Sequence, residues 1–262
     1  MHSLIHEWRV WLAASGKPAT TIRLRTNQLL RFAEHQPDLV AASTADMLAW
    51  ISNPRWAAAT RKSHRAALTS FYSWACMFGH LVVDPSRKLP PIRVPHMPAR
   101  PAPESAVRRA LLASGPREQL MVSLAAFHGL RRGEIARIHS RDVVEDLAGW
   151  SLRVHGKGGK QRVIPLSDDT AEQLRATPAG WVFPSPSGGH LTDQHVGKLI
   201  ARVLPDGWTA HTLRHRFATI AYAGTRDLLA VQEMLGHSKP ETTRGYVQLP
   251  QTAMRAAILA AA

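Results

Sequence analysis

The chain has 262 residues, 45 % of them hydrophobic and 20 % charged, which predicts two ordinary globular domains or one large one and excludes a disordered chain. Its 33 Lys and Arg against 19 Asp and Glu give a formal net charge of +14, which indicates a polyanionic partner, either nucleic acid or an anionic membrane surface. The single cysteine, Cys76, excludes an intrachain disulfide framework and a cysteine-rich zinc site.

The distribution of apolar residues shows no pattern of membrane insertion or secretion. The longest apolar runs are short and interrupted by charges, so none has the pattern of a membrane-spanning helix. Residues 1–30 also lack the apolar stretch of a secretory signal. We therefore expect a soluble, intracellular, basic globular protein.

A proline-rich segment divides the chain. Residues 89–103 read LPPIRVPHMPARPAP, with six prolines among 15 residues. Because proline lacks a backbone donor and disfavours helix in the residue before it, we expect an extended linker between residues 1–88 and 104–262. A proline-rich surface loop inside one domain is the alternative. The basic excess is present on both sides of this linker and within it.

Residues 1–88 carry helical patterns throughout, with apolar side chains at i, i+3 or i+4 and i+7 spacing. Gly79 stands where a left-handed glycine ends many helices. We therefore expect an all-α helical bundle in this part of the chain. The predicted helices run from about 4 to 12, from 20 or 21 to about 35, from 44 or 45 to a point before Pro54, and from about 58 to 78.

Two of these predicted helices begin with basic turns. Arg23 and Arg25 lie near the start of the second helix, and Arg61, Lys62 and Arg65 near the start of the fourth. A basic turn on its own is usually a solvated face. Two of them in a chain of charge +14 favour phosphate contacts, because helix N-termini and Arg or Lys act together on anions. We expect these five residues to contact the phosphates of a polyanionic partner.

Residues 104–262 combine helices with a small β-sheet. Residues 150–155 alternate apolar and polar side chains, and 162–166 form a second β-like run, so 156–160 is predicted to be a hairpin turn. The fold class that follows is mainly α with a small β-sheet (α+β) here and all-α before the linker. Helices are predicted at 104–114, 118–128, from about 132, and at 170–176, 193–204, 211–223 and 227–235.

Five short segments of this second part place charged or nucleophilic groups at predicted turns or near helix ends. Singly, each has a structural explanation: an arginine paired with a carboxylate, a packing histidine or a core tyrosine. The five occur in a fixed order along the chain. They are GLRRGE with Arg131, the hairpin HGKGGK with Lys157, HTLR with His211 and Arg214, LGH with His237, and RGY with Tyr246.

In this order the segments resemble the motifs of the tyrosine recombinases, the phage integrase or Xer-like family. No catalytic position of the family pattern is missing or substituted. The resemblance covers residues 129–246 and implies that 104–262 form the catalytic domain and 1–88 a SAM-like core-binding domain. It also implies that the arm-site-binding domain of larger integrases is absent.

The resemblance implies a site-specific DNA recombinase, an integrase or resolvase, that cleaves and rejoins DNA through a 3′-phosphotyrosyl intermediate and a Holliday junction. These roles suit the residue types, since phosphoryl transfer needs a nucleophile, charge stabilisation and a proton donor. Glu134 is expected to hold an arginine. The implied roles are nucleophile for Tyr246, transition-state stabilisation for Arg131, Arg214 and His237, proton transfer at the nucleophile for His211 and general acid for Lys157.

The resemblance implies a cytoplasmic protein that binds double-stranded DNA recombination sites, with the five basic residues of the first part among its DNA contacts. The other partners implied are further copies of the chain in a tetramer on DNA and an accessory DNA-bending protein, and no membrane partner is implied. No cofactor is expected, because the phosphotyrosine stores the energy of the broken bond. No metal is expected either: His211 and His215 have a possible ligand spacing, but no third ligand accompanies them. Two other functions stay open, a type IB topoisomerase-like relaxing enzyme and a DNA-binding regulator with a vestigial active site.

Overall fold

The computed structural model describes residues 2–95, 98–236 and 258–259. The chain divides into two compact units, Met1–His96 and Met97–Ala262, and each has its own hydrophobic core. Within the described ranges, no helix is both long enough and apolar enough to cross a membrane.

The first unit is an all-α bundle, as predicted. Its core contains the fully buried Trp8, which lies edge-on to Phe71 with the two ring centroids 5.6 Å apart. Gly79, at φ 76°, follows the end of the fourth helix, where the sequence pattern places it. The helices are α1 (His2–Ala14), α2 (Ala19–His35), α3 (Thr44–Ile51) and α4 (Ala58–Met77), followed by a 3₁₀ turn at Pro85–Lys88.

Helices α2 and α4 lie side by side and run antiparallel. Gln28 Nε2 donates to Ser63 Oγ at 2.7 Å, and Arg25 Nη1 donates to Ser70 Oγ at 3.0 Å. Earlier residues of α2 therefore face later residues of α4. It follows that the two basic helix starts lie at opposite ends of the pair and do not form one cluster.

The second unit is mainly helical with one small sheet, which confirms the predicted fold class. The elements are α5 (Glu104–Leu112), α6 (Pro116–Ala126), α7 (Arg132–Ala136), β1 (Val143–Asp146), β2 (Gly149–His155), β3 (Gln161–Pro165), α8 (Asp168–Arg175), α9 (Asp193–Val203), α10 (Ala210–Thr225) and α11 (Leu228–Leu235). The sheet lies against α8 and, through β3, against α11.

The sheet is antiparallel in the order β1-β2-β3. Leu152 of β2 lies opposite Val143 of β1 and Ile164 of β3, and this row faces the core. Sequence patterns predict β2 and β3 within one residue. They do not predict β1, because its four residues are too few to show a period of two and end in Glu145 and Asp146.

The proline-rich segment has no helix or strand in its described parts, 89–95 and 98–103. Leu89 is buried in the core of the first unit. At the other end, Ala102 is buried in the core of the second unit, and its N–H donates to the carbonyl of Thr212 at 3.0 Å. The two ends of the segment are thus parts of the units they adjoin.

The turn between α6 and α7 depends on a glycine. Gly129 has φ 67°, a left-handed conformation that L side chains rarely adopt. A Cβ at this position would collide with the ring of Phe217 in α10. The turn therefore brings the start of α7 close to α10 in a way that a larger residue would prevent.

We expect Gly129→Ala to lower the free energy of unfolding by about 2–4 kcal/mol, because it adds both backbone strain and overpacking. The matched control is Gly224→Ala, since Gly224 lies in α10 and a Cβ there would have no neighbouring atom within 4 Å. Alanine there should stabilise the protein by up to about 1 kcal/mol. Urea unfolding followed by circular dichroism measures both, and equal stability of the two variants would contradict the role of the turn.

Candidate active site

The site is built around the first turn of α7. Arg131 stands at the N-cap of α7, and Glu134 follows three residues later on the same turn. The backbone N–H of Arg131 donates to Glu134 Oε2 at 2.9 Å, and its Nη1 donates to Glu134 Oε1 at 2.8 Å. The GLRRGE segment thus fixes its own arginine with its own glutamate, as expected for Glu134.

Glu134 holds two further arginines besides Arg131. Arg162 of β3 donates from Nη1 to Oε1 at 3.0 Å and from Nη2 to Oε2 at 2.9 Å, a two-pronged pairing. Arg214 of α10 brings Nη1 to 3.7 Å from Oε2. The side chain of Glu134 is only 2 % exposed, so this carboxylate joins α7, β3 and α10 inside the protein.

The arginines also determine the protonation state of the Glu134 carboxyl group. Burial alone would raise the pKa of this carboxyl, but the hydrogen bonds and charge of Arg162, the N–H of Arg131 and the charge of Arg214 outweigh it. Together they lower the pKa of Glu134 to about 2. The carboxylate is therefore ionised throughout the neutral range.

The same three arginines bind the end of α11. The carbonyl of Leu235 accepts from Arg131 Nη1 at 3.2 Å and from Arg214 Nη2 at 2.7 Å, and the carbonyl of Met234 accepts from Arg162 Nε at 2.7 Å. The last carbonyls of a helix lack partners within the helix and carry its negative dipole end, so arginines suit them. This contact fixes the position at which the chain leaves α11.

Four side chains meet at one open pocket. Arg131, Arg132, His211 and Arg214 line it, together with residues of α9. Arg214 is 1 % exposed and also donates to the carbonyl of Gly129, whereas the side chain of Arg131 is 41 % exposed. The pocket is therefore strongly positive. Of its two best-fixed arginines, Arg214 is buried and Arg131 is accessible to solvent.

Two histidines lie next to each other on α10. Nε2 of His211 and Nε2 of His215 are 3.0 Å apart, and Nδ1 of His215 accepts the backbone N–H of Arg100 at 3.1 Å. Loss of hydration lowers the pKa of His211, and the charges of Arg214, Arg131 and Arg132 lower it further. Within the described residues, no three His, Cys, Asp or Glu side chains are grouped as a metal site would require.

The structure brings together three of the six predicted catalytic residues, Arg131, His211 and Arg214. The backbone of Lys157 lies in a 3₁₀ turn, Lys157–Gly159, between β2 and β3. His237 and Tyr246 lie outside the described residues.

Sequence reasoning missed two features of this site. One is the pairing of Arg162 with Glu134, and the other is the hydrogen-bonding role of His215. Arg162 is one of several basic residues around the hairpin, and no pattern marks it as partly buried. His215 shares a helix face with His211 at i, i+4, so helix geometry pairs the two rings. The spacing alone does not reveal the backbone donor at Arg100.

The five residues expected to bind DNA differ in their contacts. Arg23 and Lys62 are exposed, and Arg61 is half-buried. Arg25 is hydrogen-bonded to Ser70 as described above, and Arg65 donates from Nη2 to the carbonyl of Leu89 at 2.8 Å.

Comparison with known proteins decides the family. Residues 105–252 match the model of the phage integrase family, which is more than half of the chain. The chain belongs to this family. It is an enzyme, a site-specific tyrosine recombinase.

Similar members of the family include two XerC recombinases. A tyrosine recombinase XerC of Rhodospirillum centenum is 31 % identical over 287 residues, covering 94 % of this chain and 82 % of that protein. The XerC of Xanthomonas campestris pv. campestris is 29 % identical over 258 residues, covering 91 % and 74 %. Among solved structures, a lambda integrase tetramer bound to a Holliday junction has the same fold, with a TM-score of 0.75, 19 % identity and coverage of 94 % and 77 %.

We expect Glu134→Gln to lower the free energy of unfolding by about 3–5 kcal/mol, because it leaves buried guanidinium charge without its carboxylate. The control is Glu104→Gln, since Glu104 also pairs with an arginine, Arg216, but its side chain is 59 % exposed. That control should cost at most about 1 kcal/mol. Urea unfolding at neutral pH compares the two, and similar losses would contradict the importance of the buried carboxylate.

The loss should also depend on pH. The pKa of Glu134 is lowered from its ordinary value of 4.5 to about 2, so its contribution is complete above about pH 4.5 and disappears as the pH falls towards about 2. The difference in stability between the wild type and Glu134→Gln should therefore shrink by about 1.4 kcal/mol for each pH unit within this window. A difference that stays constant from neutral pH to about pH 3 would argue against the depressed pKa.

Proposed function

We propose that this recombinase cleaves and rejoins DNA through a 3′-phosphotyrosyl link to Tyr246 and exchanges strands through a Holliday junction. The observation that carries this proposal is the convergence of Arg131, Arg214 and His211 on one positive pocket. The guanidiniums of both arginines are fixed by Glu134 and the end of α11, so they are preorganised before DNA arrives.

The charge of the site suits a phosphodiester under attack. Three guanidiniums share one carboxylate, so two positive charges are in excess. When a phenoxide attacks a phosphodiester, the five-coordinate phosphorus group carries two negative charges. Arg131 and Arg214 would donate to its nonbridging oxygens, where each such donor is worth about 10²–10³ in rate.

The remaining roles complete a balanced transfer. The phenolic oxygen of Tyr246 forms a bond to phosphorus, and the bond from phosphorus to the 5′ oxygen breaks. Lys157 supplies the proton that the leaving 5′ oxygen takes. The phenolic proton of Tyr246 passes to solvent water, and His211 assists this proton transfer at the nucleophile. His237 donates a further hydrogen bond to the phosphate. In the rejoining step a 5′ hydroxyl attacks the phosphotyrosine, so no cofactor is consumed.

We assign residues 104–262 to the catalytic domain, 1–88 to the core-binding domain and 89–103 to the linker. The basic residues of α2 and α4 support DNA binding by the core-binding domain. Because the two basic helix starts lie at opposite ends of the antiparallel pair, they would contact phosphates along the length of the pair. Arg23 and Lys62 are exposed and are therefore the first candidates for phosphate contacts. Arg25 and Arg65 already donate hydrogen bonds within the first unit.

We further propose that the protein acts as a tetramer on double-stranded recombination sites in the cytoplasm. The similarity of its fold to a lambda integrase, which has been solved as a tetramer on a Holliday junction, supports this assembly.

Tyr246→Phe tests the proposal most simply. On a nicked suicide substrate, the wild type should accumulate a covalent protein–DNA adduct, and the variant should form none, because the attacking oxygen is missing. DNA affinity should change little, since phosphate contacts elsewhere supply it. Denaturing gel electrophoresis measures the adduct, and a shift assay measures binding.

Tyr222→Phe is the matched control, because Tyr222 lies on α10 and packs against the small core beside α11. It should form the adduct normally. An adduct with Tyr246→Phe would remove Tyr246 as the nucleophile. If the wild type forms no adduct but still binds DNA, the protein is a binding module, and if it relaxes supercoils without exchanging paired sites, it is a topoisomerase.

A further inference from the structure

The two adjacent histidines of α10 are part of a chain of hydrogen bonds that begins outside the pocket. The backbone N–H of Arg100 donates to His215 Nδ1 at 3.1 Å. His215 Nε2 in turn lies 3.0 Å from His211 Nε2. A segment that precedes α5 in the chain is thus connected through His215 to a residue that lines the pocket.

The donor at the start of this chain determines where each proton lies. A backbone N–H can only donate, so Nδ1 of His215 must be the acceptor and carries no proton. Neutral His215 therefore has its proton on Nε2. That N–H donates to His211 Nε2, which must then be unprotonated, so neutral His211 has its proton on Nδ1.

We propose that His215 is a positioning residue that holds His211 in the tautomer with the proton on Nδ1. This inference rests on the proposed function insofar as His211 takes part in DNA cleavage. It also refines the role of His211. With Nε2 occupied by the His215 N–H, His211 assists by donating a hydrogen bond from Nδ1 to the phosphate or to the phenoxide that forms, while the phenolic proton passes to solvent water.

The backbone N–H of Arg100, the first donor in this series of hydrogen bonds, is held in place by neighbouring contacts. Two residues after Arg100, the N–H of Ala102 donates to the carbonyl of Thr212, the residue after His211, at 3.0 Å. The guanidinium of Arg100 lies 4.5 Å from the ring centroid of Trp208. Two contacts besides the hydrogen bond itself therefore keep this backbone donor next to α10.

Burial and the charges around the pair lower the pKa of both rings, which favours their neutral forms. Burial lowers the pKa of His215 to about 4, helped by the repulsion that a second protonated ring beside His211 would cause and by the charge of Arg214. Arg214, Arg131 and Arg132 surround His211. A proton added to His211 Nε2 would point at the His215 N–H, and turning His215 to accept it would break the bond from Arg100. The hydrogen-bond chain and the surrounding charges thus favour the same protonation state.

The tautomer can be observed directly in the full-length protein labelled with ¹⁵N-histidine. Long-range ¹H–¹⁵N spectra distinguish protonated from unprotonated ring nitrogens, and His211→Gln and His215→Gln variants assign the two sets of signals. At neutral pH, we expect His211 with its proton on Nδ1 and His215 with its proton on Nε2. Histidine in water prefers Nε2–H, so the expected form of His211 would have to be imposed by its surroundings. Finding His211 protonated on Nε2 overturns the proposal.

Two substitutions separate positioning from packing. His215→Gln keeps an amide donor near the place of Nε2, whereas His215→Asn keeps an acceptor for Arg100 but is too short to reach His211. With His215→Gln, we expect the His211 tautomer to persist and single-turnover cleavage to stay within about threefold of wild type. With His215→Asn, His211 should return towards Nε2–H, and cleavage should fall about five- to tenfold with DNA affinity unchanged, because the competent fraction of molecules falls.

The results distinguish this proposal from the proposed function. If His215→Asn leaves both the tautomer of His211 and the cleavage rate unchanged, His215 has no positioning role. If His215→Asn fails to fold, the wild-type spectrum still decides, because it reports the tautomer without any substitution. If the wild type forms no covalent adduct, the proposed function fails, while the spectrum tests the hydrogen-bond chain independently.

Discussion

The buried carboxylate of Glu134 and its three guanidinium partners are the interaction on which the site depends. Like charges brought together inside a protein repel one another strongly, because the interior screens them poorly. Arg131, Arg162 and Arg214 can converge only because one ionised carboxylate lies among them at hydrogen-bond or ion-pair distance. The carboxylate compensates part of the charge and leaves an excess that a phosphate can neutralise.

This arrangement also connects local structure to the geometry of the pocket. Glu134 belongs to α7, Arg162 to β3 and Arg214 to α10, so the ion pairs join elements that are distant in the sequence. Through the carbonyls of Met234 and Leu235, the same arginines fix the end of α11. The left-handed Gly129 allows α7 to approach α10 closely enough for these contacts. A change at any of these points should therefore disturb the pocket as a whole.

Much of this organisation could be predicted from the sequence, because it depends on local patterns. Apolar periodicity predicts the helices of the first unit, and the glycine after α4 marks where that helix ends. Alternation predicts β2 and β3, and the GLRRGE segment predicts that Glu134 holds an arginine. These features involve residues a few positions apart, where helix and strand geometry determine which side chains meet.

The remainder depends on contacts between distant residues. Nothing near Arg162 in the sequence indicates that it pairs with Glu134, 28 positions earlier. The bond from Arg100 to His215 spans 115 positions and uses a backbone donor, which leaves no mark on residue type. The strand β1 escapes prediction for a different reason, since its pairing with β2 stabilises a segment whose own propensity is low.

Glu134 is ionised and buried among the arginines, and its carboxyl signal in ¹³C NMR tests this most directly. In protein labelled with ¹³C-glutamate, the signal that disappears in Glu134→Gln belongs to this residue. We predict that this signal keeps its carboxylate position from about pH 7 to about pH 4, because the pKa is lowered to about 2. A signal that moves to the protonated position around pH 4.5, the ordinary value for a glutamate, would contradict the central role of this carboxylate.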